Sequence, residues 1–239
     1  MEHPYTWTYA LGMSPESDWK YIAIATFVAL VLLALAVRAR VAISADAEAA
    51  LVPDESLSAR NFFELIVEAI GGFAENVIGH GSGKYLPLLC SFFVYILVCN
   101  FIGLVPGFTP PTSDFDVTFA LGTVSFLAFN YYGFKAQGIG YLKHFAGPIW
   151  WLAVLMIPLE LIGAFVRPFS LGLRLFGNLF GDHLVLEIFT ELTKVAVPVV
   201  FYMLGTLVTL IQAFVFTLLS MIYIALAVSH HEEGHADVL

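Results

Sequence analysis

Long apolar runs separated by short polar stretches make up most of this chain. The first run covers residues 21–37 and ends at Arg38 and Arg40. At about 1.5 Å per residue it is just long enough to cross a hydrocarbon core of about 30 Å. Two further apolar runs cover residues 85–105 and 117–132. Together with two longer runs near the C-terminus, this pattern predicts an all-α polytopic membrane protein with about five membrane-embedded helices.

Residues 57–78 have a different pattern, in which aromatic and aliphatic positions are mixed with Glu64, Glu68 and Glu75. Three acids are too many for a span, whereas one apolar face is typical of a helix that lies in the membrane interface. The segment therefore predicts one interfacial amphipathic helix in addition to the spans.

Basic residues predict the orientation of the chain. Cytoplasmic loops are enriched in Lys and Arg, so Arg38 and Arg40 belong on the cytoplasmic side and residues 1–20 form an outer N-terminal segment. Lys135 and Lys143 follow the third predicted span and mark the cytoplasmic side again.

The two C-terminal runs, 149–192 and 195–229, are longer than an upright span requires. As helices they would measure about 66 Å and about 52 Å. We therefore predict that residues 149–229 form a hairpin of two long, strongly tilted helices that turns at Lys194 to Pro198. The alternative is a pair of ordinary spans broken by a buried re-entrant turn near Arg167 and Pro168.

Composition agrees with a membrane protein and excludes several other classes. Hydrophobic residues make up 59% of the chain and charged residues 12%, unlike an ordinary soluble domain. The net charge of −9 arises at the ends and in the loops and does not indicate a nucleic-acid partner. Cys90 and Cys99 fall in one apolar run, too far apart on a helix to pair, and are predicted to be small core residues.

Arg174 is the candidate functional residue with the clearest physical signal, because it lies deep within an apolar run. A cation at membrane depth costs about 3 to more than 10 kcal/mol and normally persists only for function. Arg does not lose its proton, so Arg174 acts as a fixed charge and not as a proton relay. On a helix, Asn178 and Asp182 share its face, and Arg167 and Glu160 extend that stripe backwards.

Two glycines, Gly177 and Gly181, lie beside this polar stripe. Small residues four apart let a second helix approach closely, so the stripe is predicted to face a partner and not lipid. The alternative is that Arg174 neutralises a static acid within its own helix bundle, which leaves the glycine-lined face unexplained.

The stretch S-L-G-L-R-L-F-G-N, Ser170 to Asn178, resembles the signature of subunit a of the rotary F-type ATP synthase. Ile211 to Phe214, which includes Gln212, follows at the matching distance in the last helix. The resemblance covers nearly the whole chain and is least distinctive in the first forty residues. It implies that Arg174 matches the essential arginine that faces the carboxylates of a rotating ring of c subunits.

The resemblance also implies partners and a location. The c-subunit ring would pack against the helix faces at 160–183 and 205–223, and subunit b of the peripheral stalk would accompany the chain. No P-loop is present, so we expect a non-catalytic subunit without cofactor or metal, with ATP chemistry in a separate catalytic sector. The expected location is the bacterial inner membrane, with the N-terminus outside and the C-terminus cytoplasmic.

Two offset half-channels, open to opposite sides, would let a moving carboxylate carry protons without a continuous leak. Counting along the helices places Arg174 between two polar groups. The outer group is Asn178, Asp182, His183 and Gln212, with Asn100, Asp114 and Asp116 as entrance residues. The inner group is Glu160, Arg167 and Tyr223.

The chain departs from the family pattern at two positions. Many relatives carry Glu where this chain has His183, and bacterial relatives often carry His where it has Gly205. We hypothesise that Asp182 and His183 together replace that pair, with the missing bulk at Gly205 making room. The alternative is that His183 only hydrogen-bonds a neighbour.

Several residues have two interpretations at this stage. Asn100 either holds helices together or lines a channel, and Arg167 either pairs with Glu160 or shapes the field of the inner half-channel. The histidines and acids of the predicted cytoplasmic tail, 230–239, resemble a metal-binding tract but are more typical of a solvated end.

Two functions from other classes are weaker. The first is a self-contained secondary transporter with Arg174 as an anion-binding residue, although no second copy of this region is found. The second is a redox subunit, which lacks a pair of axial ligands because only His183 lies inside an apolar run.

Overall fold

The computed structural model describes residues 19–45, 59–79, 81–105, 108–138, 140–141, 153–193 and 196–236. Regular structure in these ranges is entirely helical. The α-helices are α1 (Trp19–Ala45), α2 (Ala59–Ile78), α3 (Leu86–Ile102), α4 (Phe115–Gln137), α5 (Ala153–Leu192) and α6 (Ala196–Ala236), with short 3₁₀ turns at Ser82–Lys84 and Pro111–Ser113.

The predicted fold class is confirmed. Four of the described helices, α1, α4, α5 and α6, are long and apolar enough to cross a membrane, and α3 is a shorter apolar helix. α2 has the predicted amphipathic pattern, with Ile66, Ile70 and Ala74 buried and Glu68 and Glu75 exposed.

The chain forms two compact units. The first contains α1, α2, α3 and the α6 segment Met203–Phe214. In this unit the Tyr95 hydroxyl of α3 donates to the Ala25 carbonyl of α1 at 3.2 Å. Phe73 of α2 meets Phe214 edge-on, with ring centroids 5.0 Å apart. Aromatic contacts thus join the interfacial helix to the last helix.

The second unit contains α4, α5 and the remaining parts of α6. Here α4 and α5 approach so closely at two glycines that side chains do not fit between them. A Cβ at Gly122 would collide with the Pro168 carbonyl oxygen, and one at Gly172 would lie 3.1 Å from the Thr118 carbonyl oxygen. These backbone contacts fix α5 against α4 immediately before Arg174.

Several helices are longer than predicted. α1 continues through Arg38 and Arg40 to Ala45, since no helix-breaking residue follows the arginines. α4 begins at Phe115 and ends at Gln137, so Lys135 lies in its last turn. The helix stops at Gly138, whose φ of 56° glycine adopts without strain.

α5 is one continuous helix of 40 residues with Pro158 and Pro168 inside it. The alternative of two spans broken near Arg167 and Pro168 is therefore wrong. α6 continues to Ala236, so the part of the predicted tail before residue 237 is helical and not an irregular end. At the predicted turn, Phe189 and Phe201 stack with centroids 4.9 Å apart.

Parts of the predictions lie outside the described residues. These are the outer segment before residue 19, residues 57–58 of the predicted interfacial helix, Lys143, the start of the first long run at 149–152, the turn residues 194–195, and residues 237–239 of the predicted tail.

We predict that Gly122→Ala destabilises the second unit by about 1–3 kcal/mol, because the new methyl group must displace the backbone of α5. The measurement is the unfolding free energy of the full-length chain in detergent micelles.

Gly163→Ala is the matched control, since a Cβ at Gly163 meets nothing within 4 Å. It should be neutral or slightly stabilising, because Ala favours helix over Gly by about 1 kcal/mol. Equal destabilisation by both variants would contradict the proposed close contact.

Candidate functional site

Both arginines of the long apolar region lie on α5, seven residues and about 10.5 Å apart along the helix axis. Because the helix is continuous, their separation is fixed by backbone hydrogen bonds. The two side chains nevertheless have different surroundings.

Arg167 lies between aromatic rings from two other helices. Its guanidinium carbon is 5.9 Å from the ring centroid of Phe129 on α4 and 5.7 Å from that of Tyr223 on α6. The two rings also contact each other, with centroids 5.7 Å apart. Such cation–π contacts contribute about 0.5–2 kcal/mol each and favour Arg over Lys. We call Phe129 and Tyr223 the aromatic clamp.

Glu160 approaches Arg167 from the preceding turns of the same helix. Its Oε1 lies 4.0 Å from Arg167 Nη2, and the side chains are 40% and 33% exposed. A partly exposed pair at this distance contributes about 0–1 kcal/mol in water. The pairing expected from the seven-residue spacing is therefore present, but the aromatic clamp makes the closer packing.

Tyr141 and Asn130 form a short chain of hydrogen bonds in the same unit. The Tyr141 hydroxyl donates to the Asn130 side-chain oxygen at 3.0 Å, and the Asn130 amide donates to the Phe126 carbonyl. Gly133 makes room for this tyrosine, because a Cβ there would lie 2.7 Å from its ring. Burial raises the pKa of Tyr141, and Arg167 opposes that rise. Tyr141 therefore keeps its proton and remains a donor at neutral pH.

Arg174 lies on an exposed flank of α5, together with Asn178. The neighbouring Gly177 and Gly181 have open space where a Cβ would be, with nothing within 4 Å. By contrast, Leu171, Leu175 and Leu179 are buried on another face. Among the described residues, the Arg174 flank is thus exposed and lies outside the packed core of the second unit.

Asp182 and His183 follow on α5 and are both half-buried. Gly205, which the sequence analysis associated with them, belongs to the first unit, where a Cβ would lie 3.3 Å from a methyl group of Leu104. Within that unit, the small residue at 205 accommodates Leu104.

Two further polar residues, one from the predicted outer group and one from its entrance, lie inside the first unit. Asn100 of α3 is 1% exposed and Gln212 of α6 is 5% exposed. Both side chains lie in the packed interior of that unit, where burial of an amide is costly unless it makes hydrogen bonds.

Asp114 has a structural role that the sequence analysis missed. It is the N-cap of α4, and its carboxylate accepts from the backbone N–H groups of Asp116 at 3.0 Å and of Val117 at 3.4 Å. Carboxylates are favoured at this position because they satisfy free N–H groups and the helix dipole. Asp116 is exposed at the same end of the helix.

Other contacts of the second unit were also missed. Ser125 of α4 and Ser220 of α6 share a buried hydrogen bond of 2.8 Å. The Gln137 amide donates to the Ala227 carbonyl at 2.9 Å. Asn130 carried the same signal as Asn100, a lone amide in an apolar helix, and could have been found by that criterion.

Among the described residues, no set of three or more His, Cys, Asp or Glu side chains is placed to hold a metal ion. The side chains of the histidine-rich end, 230–239, lie outside this description.

The sequence matches a model of the family described as "ATP synthase A chain" over residues 22–225. The chain belongs to this family. It is 47% identical over 184 residues to "ATP synthase subunit a" of Bdellovibrio bacteriovorus, which covers 77% of this chain and 80% of the relative. It is 47% identical over 165 residues to the protein of that name in Geobacter sulfurreducens, covering 69% and 72% of the two chains.

Membership of the ATP synthase A chain family connects this protein with ATP synthesis and proton transport. Together with the apolar helices, it identifies a multi-pass membrane protein. The family gives no support to the hypotheses of a self-contained transporter or a redox subunit.

We predict that Tyr223→Leu lowers the unfolding free energy of this ATP synthase subunit by about 0.5–2 kcal/mol through loss of the cation–π contact. Tyr223→Phe keeps the ring and should be nearly neutral. Unfolding of the full-length chain in micelles measures both.

A double-mutant cycle with Arg167→Gln separates this contact from simple packing. In the Arg167→Gln background, Tyr223→Leu should cost clearly less than in the native background. An unchanged cost would show that Tyr223 contributes only apolar packing.

Proposed function

We propose that this chain is the stator subunit a of an F-type ATP synthase, in which two offset half-channels lead protons to and from a c-subunit ring. Arg174 would face the carboxylates of that ring, and proton flow would drive rotation coupled to ATP synthesis. The observation that carries the proposal is the exposed position of Arg174 beside two open glycines on a continuous helix.

The open flank of α5 needs a partner when it lies in a membrane. A permanent cation facing lipid is unfavourable by at least about 3 kcal/mol, whereas a carboxylate on a neighbouring helix compensates the charge. The glycines allow such a helix to approach closely. We therefore assign the faces at 160–183 and 205–223 to the ring, and a further, unspecified surface to subunit b of the peripheral stalk.

The lengths of the last two helices support an inclined arrangement. The apolar spans Val154–Leu186 and Val199–Val228 correspond to about 50 Å and about 45 Å. Both exceed the hydrocarbon core of about 30 Å, so each fits only when strongly tilted. Inclined helices of this length suit a surface that follows a cylinder of ring helices.

The inner half-channel is assigned to Glu160, Arg167 and Tyr223. What supports it is that Glu160 and Tyr223, predicted with Arg167 as one group, each approach Arg167 in the second unit. The aromatic clamp would hold Arg167 in place, so that the carboxylate of Glu160 remains the mobile acid of the route.

The outer half-channel is assigned to Asn178, Asp182, His183 and Gln212, with Asn100 and Asp116 nearer its entrance. Asp182 and His183 are half-buried, as residues of an access route should be. Asp114 contributes mainly by capping α4 at this end. The route opens on the outer side in the orientation given by the positive-inside rule, with a cytoplasmic C-terminus and a bacterial plasma membrane.

Arg174 would make rotation of the ring unidirectional because its positive charge is permanent. It favours an ionised ring carboxylate nearby and repels a proton between the half-channels. Each proton that crosses about 100 mV releases about 2.3 kcal/mol. The ATP chemistry takes place in the catalytic sector, to which this chain contributes only coupling.

We predict that Arg174→Ala abolishes ATP synthesis driven by an imposed proton gradient in the assembled synthase. Arg174→Lys should largely fail as well, because an ammonium lacks the planar, bidentate guanidinium. Synthesis is measured in proteoliposomes, with ATP hydrolysis by the same preparation as the check on assembly.

Arg38→Ala is the control, since Arg38 lies at the end of the apolar part of α1. It should retain synthesis. Proton-driven synthesis at the native rate in either Arg174 variant would refute the proposed role of Arg174.

We predict that Asp182→Asn reduces proton-driven synthesis while Asp182→Glu preserves most of it, because only the latter retains an ionisable carboxyl. Passive proton uptake by vesicles stripped of the catalytic sector reports on the channel alone. If the Asn variant conducts and synthesises normally, Asp182 and His183 do not replace the Glu and His pair of relatives.

A further inference from the structure

An apolar groove of about 570 Å³ lies between α4 and α5 in the second unit. Its lining is aromatic and aliphatic apart from Thr123. Its lining includes Phe119, Phe126, Leu127, Ile162, Phe165 and Phe169. Phe126 and Phe165 stack with centroids 6.1 Å apart, and Phe119 meets Phe169 edge-on at 6.3 Å.

The groove is open and not a sealed core cavity. Leu127 is 60% exposed, and Ile162 and Phe165 are each 62% exposed. All three lie within apolar segments long enough to span a membrane. In a membrane, these exposed side chains therefore face the hydrocarbon region. Apolar side chains of this kind pack favourably against lipid acyl chains.

The groove and the two arginines lie on different sides of α5. At 3.6 residues per turn, Ile162 and Phe169 lie about 120–160° around the helix from Arg167 and Arg174. An acyl chain in the groove therefore does not cover the arginine side chains.

A basic residue, Lys135, lies beyond the groove on the same helix, in the last turn of α4. Leu127, Tyr131 and Lys135 are four residues apart and share one face of the helix. Lys135 Nζ lies 5.9 Å from the centroid of the Tyr131 ring, which is 61% exposed. A tyrosine and a lysine at the end of a span are typical of the headgroup region.

The distances fit a phospholipid. Lys135 is about 12 Å along α4 from Leu127 and about 18 Å from Thr123. One leaflet of the hydrocarbon core is about 15 Å deep. A headgroup phosphate at Lys135 thus places the far half of its own acyl chain at the groove.

We propose that this groove binds one acyl chain of an anionic phospholipid, whose phosphate contacts Lys135 beside Tyr131. The lysine supplies charge complementarity and the aromatic walls supply the apolar contact. The site rests on the membrane location of α4 and α5 and is independent of the assignment of the half-channels.

The test uses the assembled synthase in phosphatidylcholine vesicles that contain a trace of photoactivatable phosphatidylglycerol with a diazirine near the end of one acyl chain. Phosphatidylcholine with the same modified chain is the comparison. After illumination, labelled peptides are identified by mass spectrometry. We expect labelling of the groove residues, about fivefold stronger from phosphatidylglycerol, as one basic residue near the surface contributes about 1 kcal/mol.

Lys135→Gln should reduce labelling by phosphatidylglycerol to the level of phosphatidylcholine while ATP-driven proton pumping continues. Lys84→Gln is the matched control, because Lys84 Nζ lies 4.9 Å from the Tyr85 ring centroid but does not adjoin this groove. It should leave groove labelling unchanged. Leu127→Trp fills the groove and should reduce labelling by both lipids.

Three results would overturn the proposal. The first is equal groove labelling by the two lipids in the native synthase, which indicates ordinary annular lipid. The second is labelling of the exposed apolar face of α1 as strong as that of the groove. The third is an unlabelled groove, which indicates that a helix of another subunit or of a second copy covers it. The comparison of the two lipids needs no variant, so it remains decisive if a substitution prevents assembly.

Discussion

The structure depends on how one apolar helix carries two permanent positive charges. A guanidinium cannot lose its proton to escape a low-dielectric environment, so each arginine of α5 must be compensated by its neighbours. Arg167 is compensated within its own unit, by two aromatic rings and a carboxylate from the same helix. Arg174 lies on an open flank. In the proposed synthase, Arg174 is the cation that faces the ring carboxylates.

The helix that carries these charges is held by backbone contact and not by large side chains. Gly122 and Gly172 allow α4 and α5 to approach closely, because neither residue has a side chain between the two backbones. At Gly122, the Pro168 carbonyl oxygen occupies the space that a Cβ would need. Pro168 removes one backbone donor from α5, yet the helix continues because neighbouring packing fixes its direction. The same close contact sets the rotation of α5, and thereby determines which flank presents Arg174.

The sequence predicted those features that depend on one helix alone. The pairing of Glu160 with Arg167 follows from a spacing of seven, and the apolar runs were long enough to predict every described span. The aromatic clamp was not predictable in the same way, because Phe129, Tyr223 and the adjoining Tyr141 come from three other elements. Continuity at Pro168 was predicted from the length of the apolar run, and a break near Arg167 and Pro168 was only the alternative. Asp114 was predicted as an entrance residue, since a capping carboxylate and an exposed one have the same sequence signal until the helix start is known.

The glycines of the second unit differ in whether a neighbouring segment of the same unit packs closely against them. Glycine inside a helix is unfavourable by about 1 kcal/mol relative to alanine, so its presence calls for a close contact. At Gly122, Gly133 and Gly172 that contact is made within the unit. At Gly177 and Gly181 a Cβ would meet nothing within 4 Å among the described residues. In the proposed synthase, a ring helix that fills this space would also meet Arg174. A lipid acyl chain fills space but offers no counter-charge, whereas a helix with a carboxylate offers both. In the proposed assembly, the open flank of α5 is therefore covered by a ring helix with a carboxylate, and the apolar groove is occupied by lipid.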